Sequence, residues 1–230
     1  GGKLIDVHFP EINGDPASWK PNAKDIRAFQ EADLILLNGA NYAKWIIKAS
    51  LPESKIVNTS TRFRNSFIKV KNDAVHKHGK DDGHSHADTA FTTWLDLKQA
   101  TQQAVTIRDA LVELLPSSEQ ALKNNFAALQ KDLQALDTEL RNIADKFREI
   151  PLTGSHPIYQ YLARAYNLEI RSVHWEPNKM PDDDGWAELA AIRKEHPAKI
   201  MLWEGEPDKA IARKLLEQGV SSVVFDPCGN

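Results

Sequence analysis

Imidazoles and carboxylates carry most of the chemistry available to this chain, and they are unevenly spread. Four of the eight histidines fall in one short stretch, His76-Lys77-His78-Gly79-Lys80-Asp81-Asp82-Gly83-His84-Ser85-His86. Two glycines, several charges and no apolar side chain predict a polar, mobile loop there. Neutral imidazoles are good ligands for borderline cations, so two His-x-His pairs suit Zn²⁺, Cu²⁺ or Ni²⁺. A solvated loop with incidental histidines is the blander alternative.

A second group of donors emerges from topology. In open parallel sheets, ligands bind outside the carboxyl ends of the strands. His156 follows the first apolar run of the last third; His174, Trp175 and Glu176 follow the second. Glu204 and Glu206 follow the third, and Asp226 the fourth. A mixed nitrogen and oxygen set of this kind suits Zn²⁺ or Mn²⁺. Each residue also has an ordinary role open to it. His156 could open a helix, Asp226 before Pro227 could belong to a plain turn, and His174, Glu204 and Glu206 could face water. His8 and His196 are unremarkable by position. Several of the six tryptophans fall near strand or loop ends, where they could line a cleft or fill the core.

The elements that must position these residues can be read from the pattern. Thr153-Gly154-Ser155 leads into a helical stretch from His156 to Tyr166, and a β-rich run follows over Leu168–Val173. Helices are predicted over Asp184 to Glu195 and over Pro207 to Gln218, the latter with Pro near its start and Gly219 past its end. Ile200–Trp203 and Val220–Phe225 are the intervening strands. Strands alternating with helices at this spacing imply βαβ units and a parallel sheet. The first third is a less complete version. It has helices over Asp25 to Ala32 and Tyr42 to Lys48, strands over Leu34–Leu37 and Lys55–Asn58, and a possible opening strand over Leu4–Val7.

Between these parts, Leu122, Phe126, Leu129, Leu133, Leu136, Leu140, Ile143 and Phe147 recur at steps of four and three, the stripe of one helix. Ser117 and Gln120 have capping-box spacing at its start. Some 30 helical residues would reach about 45 Å. A coiled coil is one reading of the stripe, and a rigid strut packed on two lobes is the preferred one. Asp96 to Leu115 is predicted to be a helix leading into it. The expected fold is therefore α/β: an N-terminal lobe over 1–116, a linking helix over 117–149 and a C-terminal lobe over 150–230.

Composition removes other classes. The chain has 230 residues, 41% of them hydrophobic and 27% charged, which suits one large or two small packed domains. A net charge of −3 lacks the basic field of a nucleic-acid binder. The longest apolar runs fall far short of the ~18 residues that span a bilayer. Cys228 is the only cysteine, which excludes a disulfide framework and a cysteine zinc cage. Cys228, His156 and Asp226 could converge, yet no Gly-x-Ser-x-Gly elbow, phosphate loop or Gly-x-Gly-x-x-Gly motif supports hydrolysis or nucleotide chemistry.

Two α/β lobes joined by one long helix, with a His-rich loop in the first lobe, resemble the zinc/manganese (cluster A-I) solute-binding proteins of ABC importers. The resemblance runs through Asp15-Pro16-Ala17-Ser18-Trp19-Lys20-Pro21, Ala32-Asp33-Leu34-Ile35-Leu36-Leu37-Asn38-Gly39, Trp45 and Trp94-Leu95-Asp96. It continues in Ser155-His156-Pro157-Ile158-Tyr159-Gln160-Tyr161-Leu162-Ala163 and Phe225-Asp226-Pro227. It implies a metal held between the lobes by histidines and carboxylates, with His156 and Asp226 as the C-lobe ligands. It also implies a strand ahead of Gly1. The pattern departs at two positions, where Ala17 and Thr92 stand in place of expected histidines.

Two outcomes compete. In one, metal still binds, with replacement donors from His84 or His86 and from Glu204 or Glu206, while His76 and His78 help collect ions. In the other, the cleft takes a chelated metal or small organic ligand, or serves as an interaction module without a tight metal site. The first is preferred: an extracytoplasmic, non-enzymatic protein that captures Zn²⁺, with Mn²⁺ as the alternative. On this reading it is a monomer that hands the ion to the membrane permease of an ABC importer. It would be periplasmic or anchored to a membrane through a segment ahead of Gly1.

Overall fold

A computed structural model describes residues 2–10, 19–70 and 88–227. Two compact units, Gly1–Ala135 and Leu136–Asn230, divide the chain within its longest helix.

In the first unit, α1 (Ala23–Glu31) opens with a full capping box. The Asn22 side chain accepts from the Lys24 and Asp25 amides, and Asp25 accepts from the Asn22 amide. β1 (Ile35–Leu37) pairs in parallel with β2 (Ile56–Asn58), Ile35 opposite Ile56. A short antiparallel pair joins β3 (Lys69–Val70) to β4 (Asp88–Thr89). α2 (Leu97–Leu114) is capped by Asp96, which accepts from the Lys98 and Gln99 amides. Trp19, Phe29 and Trp45 stack into one aromatic cluster, with Phe29 and Trp45 5.0 Å apart.

Two sequence expectations fail in this unit. Leu4–Val7 is not a strand: Gly2–Leu4 forms a 3₁₀ turn, and Val7 and Phe9 are exposed. A strand needs a ladder partner, and among the described residues β1 pairs only with β2. Tyr42 to Lys48 is not an α-helix. It yields a 3₁₀ turn over Lys44–Lys48. The cause lies just upstream, where Gly39, Ala40 and Asn41 all have positive φ, at 81°, 51° and 62°. That left-handed run directs the chain away from a right-handed helix.

Gly39 is required there twice over. Its φ is left-handed, and a Cβ would land on the Asn58 side-chain oxygen and 2.9 Å from Ser60 Oγ. Gly39→Ala is expected to destabilise the protein by about 1–3 kcal/mol, read as a fall in the chemical-denaturation midpoint.

α3 (Glu119–Ala144) has 26 residues. The Ser117–Gln120 capping box does not form. A 3₁₀ turn over Pro116–Ser118 runs directly into α3, with Glu119 already helical, and the Gln120 side chain instead donates from Nε2 to Asn124 Oδ1. Along the apolar stripe Leu122 is buried, whereas Leu129, Leu136 and Ile143 stand 46%, 44% and 52% exposed.

The second unit is a four-stranded parallel sheet in the order β6-β5-β7-β8. Its strands are β5 (Leu152–Gly154), β6 (Ile170–Ser172), β7 (Ile200–Trp203) and β8 (Ser221–Val224). Three crossover helices connect them: α4 (Gln160–Tyr166), α5 (Asp183–Glu195) and α6 (Lys209–Glu217). Asp182 and Asp208 cap α5 and α6 with their carboxylates. Asn167 ends α4 in the left-handed conformation. Val173, Trp175, Trp186, Leu189, Met201, Trp203, Ile211, Leu215 and Val220 pack into the core. The first crossover helix starts at Gln160 rather than His156, because Pro157 disfavours helical geometry at the residue before it. His156 is thereby left in the turn that joins strand to helix.

Candidate metal centre

The carboxyl edge of the β5–β8 sheet collects the donors. Ladder bonds continue past the strand ends: Ser155 N donates to Leu202 O, Trp175 N to Ser155 O, and Phe225 N to Trp203 O, each at 2.8 Å. These bonds fix His156, Trp175 and Glu176, Glu204 and Asp226 in the loops just beyond β5, β6, β7 and β8. Alternation sorts the side chains. Val173 and Trp175 are buried, so His174 and Glu176 point outward.

His156 is held by the backbone. Its Nδ1 lies 2.9 Å from the Trp175 carbonyl oxygen. A carbonyl only accepts, so Nδ1 carries a hydrogen, and in the neutral ring Nε2 then presents a lone pair. Metal-binding histidines take this arrangement, the second ring nitrogen donating to a backbone carbonyl or carboxylate. Glu204 Oε1 lies 3.4 Å from Nδ1, on the same edge of the ring as the Trp175 carbonyl. Glu176 Oε1 lies 3.6 Å from Nε2. The His174 ring meets His156 edge-on, with centroids 6.0 Å apart.

Tyr159 forms the floor beside them. It is 1% exposed, and its hydroxyl donates to the Phe225 carbonyl at 3.0 Å. Burial, and then the charges of Glu204 and Asp226, push its phenol well above the ordinary tyrosine value. Both carboxylates therefore act on one point of this edge. Among the described residues no three His, Cys, Asp or Glu side chains converge closely enough to hold a metal ion. His156 lies close to two carboxylates, Glu204 on its Nδ1 side and Glu176 on its Nε2 side.

Glu206 is exposed two residues beyond Glu204. His76, His78, His84, His86 and Ala17 lie outside the described residues. Thr92 is buried at 2% exposure, directly before the 3₁₀ turn Thr93–Leu95. His196 is buried, with Nε2 2.8 Å from the Leu152 carbonyl, a structural role.

Sequence reasoning gave no weight to a buried polar network in the first unit. Gln103 Nε2 donates to Asn38 Oδ1 at 3.0 Å and to Thr59 Oγ1 at 2.9 Å, and Asn38 Nδ2 donates to the Phe91 carbonyl at 2.9 Å. The network ties the segment just before Thr92 to the end of β1. The only hint in the sequence was the Asn38-Gly39 pair closing an apolar strand.

The described residues contain no helix long and apolar enough to cross a membrane. The family model described as zinc-uptake complex component A, periplasmic, matches residues 2–230. The zinc-binding protein AdcA of Streptococcus pyogenes is 25% identical over 229 residues, covering 93% of this chain and 44% of that protein. The high-affinity zinc uptake system protein ZnuA of Bacillus subtilis is 26% identical over 227 residues, covering 93% of this chain and 68% of that protein. The chain thus spans under half the length of the AdcA relatives. In fold it is similar to the metal-dependent lipoprotein YcdH of Bacillus subtilis, with a TM-score of 0.77, 23% identity, and coverage of 96% of this chain and 78% of that one. It is similar also to Zn(II)-bound AdcA from Streptococcus pneumoniae, with a TM-score of 0.73, 22% identity, and coverage of 93% and 44%.

Proposed function

Because this chain belongs to the periplasmic zinc-uptake complex component A family, we propose that it captures Zn²⁺ outside the cytoplasm and delivers it to the membrane permease of an ABC importer. The ion is cargo, bound and released without chemical change, so the protein is a carrier and not an enzyme. His156 and Asp226 supply ligands from the second unit. The His-rich stretch His76 to His86 gathers ions at low affinity, and Mn²⁺ is the secondary cargo.

The observation that carries this reading is the setting of His156. Its Nδ1 hydrogen is spent on the Trp175 carbonyl, so in the neutral ring Nε2 is left as a ready ligand beside a carboxylate.

Calorimetric titration of metal-free protein with Zn²⁺ tests the proposal. One tight site and several weaker ones are expected. Deleting residues 76–86 is expected to remove the weaker sites and leave the tight one. Loss of the tight site on deletion would instead place His84 or His86 in it.

A second reading is favoured by one observation, the lack of any three-donor group among the described residues. On that reading the protein takes a metal already held by a small chelator. Zinc alone would then leave the melting temperature unchanged, while a chelated ion would raise it.

A further inference from the structure

We infer that Glu176 is itself a metal ligand, an oxygen donor that works with His156 in a chain whose sequence has Ala17 and Thr92 where the family resemblance leads one to expect histidines. The inference rests on the zinc-capture reading and adds a donor to it.

The first argument is geometric. Two donors on a tetrahedral Zn²⁺, each about 2.0–2.2 Å from the ion, sit about 3.4 Å apart. Glu176 Oε1 and His156 Nε2 are 3.6 Å apart, close to that edge length. The nitrogen concerned is the one the Trp175 carbonyl leaves without a hydrogen. A neutral imidazole nitrogen and a carboxylate oxygen, both acceptors, face each other across a gap that only a proton or a cation can bridge.

The second argument separates Glu176 from its neighbour. Glu204 approaches the opposite ring nitrogen, Nδ1, at 3.4 Å. From there it can steady the ring and add negative potential, but the Nε2 lone pair points away from it. Exposure agrees with these roles. The Glu176 side chain is 57% exposed and free to adjust to an incoming ion, whereas that of Glu204 is 29% exposed beside Nδ1. Gly154 lies opposite Ser172, so His156 and His174 are level beyond their strands, and Glu176, two residues further along, reaches back to the His156 ring.

Glu176→Gln in the full chain tests the assignment, with wild type titrated in parallel. Zinc affinity is read by competition with a chelating dye. Co²⁺ is then added at half an equivalent, so that the tight site fills first, and its visible spectrum reports the donor atoms. Loss of one of four donors is expected to weaken zinc by about 100-fold or more, at the upper end of or beyond the 10–100-fold typical of an outer-shell partner. A changed cobalt spectrum is expected with it. The metal-free melting temperature serves as the folding control and should hold. A loss under about tenfold, or an unaltered cobalt spectrum, in a chain that otherwise binds zinc tightly overturns the assignment and leaves zinc capture standing. A wild-type chain that binds no zinc overturns both.

Discussion

His156→Ala is expected to abolish tight zinc binding while leaving the fold intact. Structural zinc is bound with about 10–16 kcal/mol, which over four donors is about 2.5–4 kcal/mol each and about 60–700-fold in affinity. The alanine variant also releases Glu176 and Glu204 from the ring they flank, so the upper part of that range is expected. The side chain is 23% exposed and lies in a turn outside the core, so the metal-free protein should melt within about 2 °C of wild type. Calorimetry and a thermal scan on the same sample separate the two effects. An unchanged tight site would remove His156 from the ligand set.

The largest loss of stability is expected from Trp203→Ala. This side chain closes β7 at 0% exposure, packed with Trp175 at 6.3 Å between ring centroids. Truncating a buried tryptophan costs about 3–5 kcal/mol through lost burial and the cavity left behind. In a unit of this size that lowers the melting temperature by more than about 10 °C. Leu216→Ala provides the contrast, since Leu216 is 65% exposed on α6 and its truncation should stay within about 0.5 kcal/mol. Equal effects from the two substitutions would mean that the packing between β7 and the helices is not what stabilises the second unit.

The second unit was largely legible because its signals are local. Pro207 and Gly219 bracket α6 by their own chemistry, and the apolar runs at Ile200–Trp203 and Val220–Phe225 hold β7, which is buried, and β8, which is largely exposed. The first unit was harder for two reasons. Ala40 takes a left-handed φ that alanine never advertises, so the stretch after it read as an α-helix. Leu4–Val7 has the composition of a strand, but pairing is a property of neighbours and not of the segment.

At the sheet edge, the sequence brought His156, Glu204 and Asp226 together through a topological rule. It could not rank Glu176 above Glu204. Which ring nitrogen each carboxylate faces depends on the β5–β6 register and on the path of a turn after Trp175. Neither is written in residue type.

The hold on His156 has a consequence for how such a protein can change over generations. The acceptor at residue 175 belongs to the main chain, and every amino acid, proline included, carries that oxygen. No codon change can delete it. Drift can alter the neighbouring acids and so retune which ions are kept and how firmly, while the imidazole goes on facing the same way.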